Sequence, residues 1–193
     1  MAFSKGKRIE DETSTRIIDL AVNIGCKEGP DALTVTRICK ELNCDRRVIY
    51  NRFRDVDEIN FIVAGKCNDE LISHAKADVP EGASFSERMQ SFVKSAFTYV
   101  YERNAYYQYY TSLYQINEDG IQNEILEELT DMIEKGKEKG DVNAAKSSQE
   151  AAQSIWIILS SISGILAKNV EYKYQEALRT LTFAMEGILN NLV

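Results

Sequence analysis

Residues 34–53, TVTRICKELNCDRRVIYNRF, have the pattern of two short helices joined by a tight turn. In the first half, apolar residues recur at helical spacing from Val35 to Leu42, and Thr34 precedes them as a candidate helix cap. Asn43 follows the last apolar residue, and asparagine tolerates the left-handed backbone that such a turn requires. The segment therefore predicts a helix-turn-helix.

The second helix of this segment has the side chains of a DNA-reading surface. Val48, Ile49 and Phe53 are expected to face inward, with Asp45 as a candidate cap that accepts from free amides of the helix. Residues 46–54 contain four arginines and no acid. Arginine makes bidentate hydrogen bonds to guanine, asparagine makes them to adenine, and tyrosine can reach a thymine methyl or a phosphate. The alternative is that these arginines only keep a helix face solvated.

The sequence around this segment predicts a small helical core. Apolar residues recur at helical spacing through residues 10–26, and Gly29 followed by Pro30 ends that helix. Asp55, with Glu58 three residues later, predicts a capping box for a longer helix that follows directly. Three helices would then share one core at the start of the chain.

At this point the chain resembles the TetR family of bacterial transcriptional regulators, without gaps from about Arg16 to Val63. The stretches LTVTRIC and CDRRVIYNRF are the most specific parts of the match. The resemblance implies a sequence-specific DNA-binding regulator, a repressor that leaves a palindromic operator when a small-molecule effector binds. Gly25 stands where the family often has a large aromatic residue, which predicts a looser core around the first helix.

The resemblance also implies which residues contact DNA: Thr34, Thr36, Arg46, Arg47, Tyr50, Asn51, Arg52 and Arg54. Arg46, Arg47 and Tyr50 match positions that face bases, and a phosphate is the alternative contact for Tyr50. The threonines match positions that contact phosphates and sometimes a base, and the remaining residues match phosphate positions. Val56 replaces a lysine that the family commonly uses on a phosphate, and Arg54 is its expected substitute.

Downstream, the sequence predicts only helices. Ser84 with Glu87 and Ser147 with Glu150 form candidate capping boxes. The predicted helices cover residues 55–76, 84–101, 104–115, 121–133, 147–168 and 174–192. The expected fold class is therefore all-α, with a helix-turn-helix DNA-binding domain over residues 1–54 and a helical ligand-binding and dimerisation domain over residues 55–193.

The last two helices carry a predicted homodimer interface, in which small residues allow close approach and apolar residues supply the contact. Its candidates are Ile155, Leu159, Ser160, Gly164, Ala167, Leu181, Ala184 and Ile188. Two such helices could dock on a symmetry mate as a four-helix bundle. A dimer also suits DNA, because two reading helices must lie about 34 Å apart to contact two half-sites. The alternative is that this stripe packs into the chain's own core.

Aromatic residues crowd the middle helices and suggest an effector pocket. The candidates are Phe92, Tyr99, Tyr107, Tyr110, Tyr114 and Trp156. Tyrosine walls would suit a small hydrophobic or aromatic compound. The alternative is an aromatic core with hydroxyl groups at its boundary, since tyrosine commonly packs in this way.

The net charge of −7 is compatible with DNA binding because the acid is unevenly distributed. Residues 1–60 hold 11 basic and 11 acidic groups, whereas residues 61–193 hold 12 basic and 19 acidic groups. A locally basic helix on a neutral domain can still neutralise phosphates. Double-stranded operator DNA is therefore an expected partner despite the acidic total.

Other functional classes have little support in the sequence. There is one histidine, His74, and the four cysteines lack the spacing of a zinc site, so we expect reduced thiols, no metal and no cofactor. A redox-sensing cysteine is a minor alternative. No catalytic constellation appears, which argues against an enzyme.

The longest apolar run, residues 155–167, is shorter than the roughly 20 residues of a membrane span, and no export signal precedes it. We expect a cytoplasmic protein. The principal rival is a helical ligand-binding or protein-interaction module without specific DNA binding.

Overall fold

A computed structural model describes residues 9–116, 124–168 and 171–193, and all regular secondary structure in these ranges is helical. The side chains of residues 114–116 and 167–168 lie outside this description. The all-α prediction is confirmed.

The helices in chain order are α1 (Glu12–Glu28), α2 (Val35–Leu42), α3 (Arg46–Tyr50), α4 (Val56–Ala77), α5 (Phe85–Glu102), α6 (Asn104–Ile116), α7 (Glu124–Glu138), α8 (Ser148–Lys168) and α9 (Tyr174–Leu192), with a short 3-10 turn at Pro30–Ala32 between α1 and α2. The predicted start at residue 121 lies outside the described residues, and α7 continues to Glu138, beyond the predicted end at residue 133. The other predicted boundaries agree with the helices to within about two residues. Such differences are ordinary, because helix ends fray.

The chain forms two compact units that divide it within α4 and again at the start of α6. The first unit contains the described residues up to Cys67 together with α6 from Ala105 onward. The second contains residues 68–104 and the described residues from α7 onward. The functional boundary at residue 54 stays a prediction, because compactness alone does not assign DNA binding or dimerisation to a segment.

In the first unit, α1 starts two residues later than the apolar pattern indicated. The Asp11 carboxylate accepts from the Ser14 amide at 2.9 Å, and the Ser14 hydroxyl faces back to the Asp11 amide, which completes a capping box. Ile17 of α1, Ile38 of α2 and Ile49 of α3 are fully buried. The three predicted helices therefore share a core.

Gly25 makes room for an aromatic ring from a distant part of the sequence. A β-carbon at Gly25 would lie 2.2 Å from Cε1 and Cζ of Tyr109 in α6. The Tyr109 hydroxyl donates to Oδ1 of Asn60 in α4 at 2.5 Å, and burial raises its pKa above the ordinary value of 10. The expectation of a looser core is wrong, because Tyr109 fills the space that the glycine leaves.

In the second unit, the Ser84–Glu87 capping box of α5 is present as predicted. The Ser147 hydroxyl accepts from the Glu150 amide at 3.2 Å at the start of α8. The core lies among α5, α7, α8 and α9, and its members include Met89, Phe92, Phe97, Leu129, Ile133, Ala152, Ile155, Leu159, Leu181 and Leu189. Among the described helices, none is both long and apolar enough to cross a bilayer.

Candidate nucleic-acid interface

The helix-turn-helix is built by local hydrogen bonds that the sequence largely predicted. The Thr34 hydroxyl accepts from the Arg37 amide at 3.2 Å and caps α2, and Asn43 adopts the left-handed conformation at φ 49° and ψ 52°. Both predictions are confirmed. The expectation that Asp45 caps α3 through its side chain is wrong, because its side chain makes no capping hydrogen bond.

The inward and outward faces of α3 also follow the prediction. Ile49 is fully buried and Phe53, just beyond the helix, is buried, so this side joins the core. Arg46 and Arg47 are exposed, and Tyr50 keeps 54% of its surface exposed. An exposed tyrosine of this size beside two arginines gives α3 a contiguous surface able to donate to base edges and phosphates.

Among the described residues, no acidic side chain forms an ion pair with the arginines at the amino end of α3. Arg46 donates from Nη2 to the Thr36 hydroxyl at 2.9 Å, so a residue of α2 orients it. Within the ranges that the structure describes, neither Arg46 nor Arg47 lies within ion-pair distance of a carboxylate. No ion pair among the described residues therefore competes with an external anion or base for either guanidinium group.

The arginine that follows the carboxyl end of α3 is bonded to other residues of the same chain. Arg52 donates from Nε to Oδ1 of Asp11 at 2.9 Å and from Nη2 to Oδ2, which makes a bidentate pair, and its Nη1 donates to the Val48 carbonyl at 3.0 Å. The Arg52 side chain is 15% exposed. The Arg52 hydrogen bond, followed by the Ser14 amide, lowers the pKa of Asp11 well below its usual range.

The Asp11–Arg52 pair has a structural consequence that sequence spacing did not indicate. Asp11 caps α1, so the same carboxylate joins the start of α1 to the chain just beyond the end of α3. The two residues are 41 positions apart, and no local pattern connects them. Arg52 was predicted as a phosphate contact, and the structure places it in an internal clamp.

Two further arginines near the motif are also paired. Arg54 donates from Nε to Asp55 at 2.7 Å, and its amide donates to the side chain of Glu58. The Glu58 amide donates to Oδ1 of Asp55 at 2.8 Å, so Asp55 caps the start of α4. Arg37 of α2 forms two hydrogen bonds to Glu28 of α1 at 2.6 and 2.7 Å. The remaining DNA-binding candidates, Thr34 and Asn51, are exposed.

The effector-pocket candidates do not gather in one unit. Phe92, Tyr99 and Trp156 belong to the second unit, and Tyr107 and Tyr110 belong to the first. All of them are buried except Trp156, which is half-buried. The Tyr99 hydroxyl donates to Glu70 at 2.9 Å, so it is already satisfied. The side chain of the sixth candidate, Tyr114, lies outside the described residues.

The dimer-interface candidates differ in how deeply their side chains are buried. Ile155, Leu159 and Leu181 are at most 2% exposed, so they pack into the second unit's own core, as the alternative reading held. Half-buried positions are taken by Ser160, Gly164, Ala184 and Ile188. Ala167 has its side chain outside the described residues.

The exposed apolar surface of the last two helices is made by different residues. Ile157 is 61% exposed and Ile165 is 51% exposed on α8, and Phe183 is 79% exposed on α9. Ile157, Ser161 and Ile165 recur every four residues, so they lie along one ridge of α8. The exposed apolar ridge of α8 is therefore displaced from the stripe that the sequence predicted.

No group of three or more metal-ligating side chains is assembled within the described ranges. None of the four cysteines, all of which lie in the described ranges, forms a disulfide, and three of them are half-buried. The exposed arginines and hydroxyl groups of α3 can donate hydrogen bonds to an anion or to another acceptor.

Solved structures match the chain over nearly its whole length. The fatty acid degradation regulator FadR from Bacillus halodurans is 15% identical with a TM-score of 0.70, and the match covers 94% of this chain and 97% of that one. A putative tetR family transcription regulator from Shewanella sp. PV-4 is 11% identical with a TM-score of 0.72, covering 94% and 98%. The chain has a TetR-like fold. The resemblance predicted from residues 16–63 is therefore confirmed at the level of the fold, and it extends across both units.

A third TetR-like structure was solved with a ligand. The transcriptional regulator FadR from Bacillus subtilis, in complex with stearoyl-CoA, is 15% identical with a TM-score of 0.68, and the match covers 93% of this chain and 99% of that one. At these identities the likeness shows the fold alone. No family model matches the chain, and no curated protein matches it in sequence.

Proposed function

We propose that this protein is a sequence-specific DNA-binding transcriptional regulator, and that it acts as a repressor on a palindromic operator. One observation carries the proposal: α3 presents Arg46, Arg47 and Tyr50 to solvent on a TetR-like fold, and no carboxylate of the described chain pairs with either arginine. Arginine forks match guanine edges in the major groove, which admits a helix of this kind.

In this proposal, the residues of the motif divide into three roles. Arg46 and Arg47 read base edges, with Arg46 oriented by Thr36. Tyr50 and Asn51 contact phosphates or bases beside them, because both are exposed on the same helix end. Arg52 positions the helix through its bond to Asp11 rather than contacting DNA.

In vitro selection against random duplex DNA at about 0.15 M salt tests the proposal, since phosphate contacts depend strongly on salt. We expect enrichment of an inverted repeat, and tight binding of the winner relative to a scrambled duplex. The rival, an interaction module without specific DNA binding, predicts no enrichment and a shallow salt dependence. Protein unfolded, dialysed and refolded before a second selection removes any carried-over effector, so absence of enrichment there contradicts the proposal.

We further propose that the protein is a homodimer through α8 and α9. The support is the exposed apolar ridge of Ile157 and Ile165 together with Phe183, because side chains of this size are costly to leave in water at such exposure. The nearby half-buried Gly164 and Ala184 would let a symmetry mate approach closely. Such a dimer supplies the two reading helices that an inverted repeat needs.

Light scattering at micromolar concentration tests the dimer. We expect twice the chain mass of 21.9 kDa for the unaltered protein and the monomer mass for Phe183→Asp. Ile9→Asp is the matched control, because it places the same charge on an exposed apolar residue of the first unit. A monomeric unaltered protein, or a dimeric Phe183→Asp variant, contradicts this interface.

We propose that a small hydrophobic or aromatic effector releases the DNA. The support lies on α8, where Trp156, Ser160 and Ser163 follow one another at positions i, i+4 and i+7 and so share a face. The buried hydroxyls of Ser160 and Ser163 have no hydrogen-bond partner among the described residues. A buried hydroxyl without a partner is costly, and a ligand's polar group could satisfy it.

Tryptophan fluorescence and melting temperature test the effector proposal, because Trp156 is the only tryptophan. Long-chain acyl-CoA is a reasonable first probe, since the Bacillus subtilis FadR structure holds stearoyl-CoA. We expect an effective compound to raise the melting temperature and weaken operator binding, with both effects reduced in a Ser160→Ala, Ser163→Ala variant. A panel of acyl-CoAs and aromatic compounds that changes neither signal contradicts the proposal.

A further inference from the structure

The turn of the helix-turn-helix brings two cysteines together. The Cys44 amide donates to the Cys39 carbonyl at 3.0 Å, and the Asn43 amide donates to the Lys40 carbonyl at 3.4 Å. With Asn43 in the left-handed conformation, these two bonds form a Schellman motif at the end of α2. In that motif the side chains of the first and last residues commonly contact each other, and here those residues are Cys39 and Cys44.

The surroundings of the two thiols agree with this placement. Both side chains are half-buried, so small reagents can reach them. Burial, and then the Cys39 thiol beside it, raise the pKa of Cys44, while the nearby Arg16 opposes that rise. Cys44 is therefore a protonated thiol in neutral solution, and it lies next to a second thiol. Both lie at the turn that positions α3, the helix proposed to contact DNA.

We propose that Cys39 and Cys44 form a reversible dithiol–disulfide pair, and that its oxidation weakens operator binding. Their main chains are already joined by one hydrogen bond, so the short loop between them is closed before any covalent bond forms. The effect on DNA rests on the proposed function, whereas the pairing of the two sulfurs does not.

The oxidant we name is a low-molecular-weight disulfide, RSSR. One cysteine, as its thiolate, attacks a sulfur of RSSR, which forms a mixed disulfide and expels RS⁻. The second cysteine thiolate attacks the protein sulfur of that mixed disulfide, which forms the Cys39–Cys44 bond and expels the second RS⁻. The two protons lost by the cysteines are taken up by the two RS⁻ ions. Two electrons pass from the cysteines to the reagent, giving one protein disulfide and two RSH.

Oxidation should alter the recognition helix because Cys44 lies two residues before α3 begins at Arg46. A disulfide holds its sulfurs about 2.05 Å apart, which is much closer than two thiols in van der Waals contact. The turn must adjust to bring residue 44 toward α2. Because Arg46 and Arg47 follow directly, their guanidinium groups shift relative to the base edges that they would read.

Tryptic digestion detects a disulfide between the two cysteines without DNA. Trypsin cleaves after Arg37, Lys40 and Arg46, so the cysteines fall in separate peptides, residues 38–40 and 41–46. The full chain is equilibrated in oxidised and reduced glutathione, blocked with an alkylating reagent and digested without reductant. We expect the two peptides joined as one species whose mass is two hydrogens below their sum. Reduction should separate them.

Matched variants keep the result interpretable. Cys39→Ser and Cys44→Ser should each abolish the joined peptide, and Cys26→Ser should leave it unchanged, because Cys26 lies elsewhere, near Tyr109. Glutathione found on the two cysteines separately, with no joined peptide at any glutathione ratio, overturns the pairing. A joined peptide formed only after denaturation overturns it as well.

The effect on DNA is measured by titrating reduced and oxidised protein against the duplex that selection yields. We expect oxidation to weaken binding by about tenfold or more, the size of one lost base contact, and reduction to restore it. Both serine variants should bind equally well in either buffer. Equal affinities for oxidised and reduced unaltered protein overturn the switch. Reduced protein that binds no duplex overturns the proposed function and the switch together, while the peptide measurement still decides the pairing.

Discussion

The arginines at the two ends of α3, the proposed recognition helix, have different kinds of partner. At the amino end, Arg46 bonds to a neutral hydroxyl, and Arg47 has no acidic partner among the described residues. At the carboxyl end, Arg52 is in a bidentate pair with Asp11, and Arg54 is paired with Asp55. The four side chains come from nine consecutive residues. Under the proposed function, arginine would read bases at one end and position the helix at the other.

This difference shows that arginine content is an incomplete guide to a DNA interface. An arginine already bound to a carboxylate must give up that bond before it can bind a phosphate, so its net contribution to DNA affinity is reduced. An arginine facing only water has no such competitor. Substitutions made at each end separately test whether the two sets of arginines differ in this way.

The largest effect is expected from Arg47→Ala. We expect about ten- to hundredfold weaker binding to the selected operator and little change on a scrambled duplex, because a lost bidentate base contact removes discrimination. Fluorescence anisotropy on both duplexes measures this. Equal losses on the two duplexes would mean that Arg47 contacts only phosphate.

A smaller effect is expected from Thr36→Val, which keeps the side-chain shape and removes the hydroxyl that orients Arg46. We expect about threefold weaker operator binding, the size of one ordinary hydrogen bond. In an Arg46→Ala background the same change should have no further effect. Additive losses in that double variant would show that Thr36 contacts DNA independently of Arg46.

At the carboxyl end, we expect Arg52→Ala and Asp11→Asn each to lower the melting temperature by a few degrees, because each removes the ion pair between Asp11 and Arg52. Asparagine retains the helix-capping acceptor, so it removes the charge alone. The double variant should lose less than the sum of the two single losses. Arg52→Ala should leave the ratio of operator to scrambled affinity unchanged. Arg54→Ala is the control, since its highly exposed pair should contribute little.

The smallest effect is a pH dependence. The pKa of Asp11 is lowered in the folded chain, so its pair stabilises the protein above the ordinary carboxyl pKa of 3.8 and loses that contribution as the pH falls below it. Urea unfolding of the unaltered protein and Asp11→Asn between pH 6 and 3 measures the difference. We expect the two stabilities to converge toward low pH. A constant difference across this range would show that the charge is not the cause.

Much of the helix-turn-helix could be predicted from sequence because its determinants are local. Thr34 and Asn43 act within a few residues of themselves, through a cap and a left-handed turn. The burial of Ile49 and the exposure of Tyr50 follow from helical periodicity. The missing Asp45 cap shows the limit of such rules, because residue type permits a capping bond without requiring it.

The interactions that were missed join residues far apart in the chain. Asp11 and Arg52 are separated by 41 positions, and the Tyr109 ring fills the space beside Gly25 from α6. Neither pairing has a periodicity or spacing that a single sequence displays. They depend on how α1 packs against elements that come much later.

The last two helices illustrate an intermediate case. Their apolar character was evident from sequence, but a helix that is apolar on several sides does not reveal which side faces its own core. Leu159 is buried while Ile157, two residues earlier, is exposed. Only the packing of α8 against its neighbours distinguishes them.

In vitro selection repeated with two conservative variants, Arg47→Lys and Arg52→Lys, distinguishes an arginine that reads bases from one that positions the helix. Lysine keeps the charge and loses the bidentate fork. We predict that Arg47→Lys enriches a motif with altered preference at the base pairs that Arg47 reads, while Arg52→Lys enriches the same motif as the unaltered protein. An unchanged motif from Arg47→Lys, or an altered one from Arg52→Lys, would contradict the division of the recognition helix into a reading end and a positioning end.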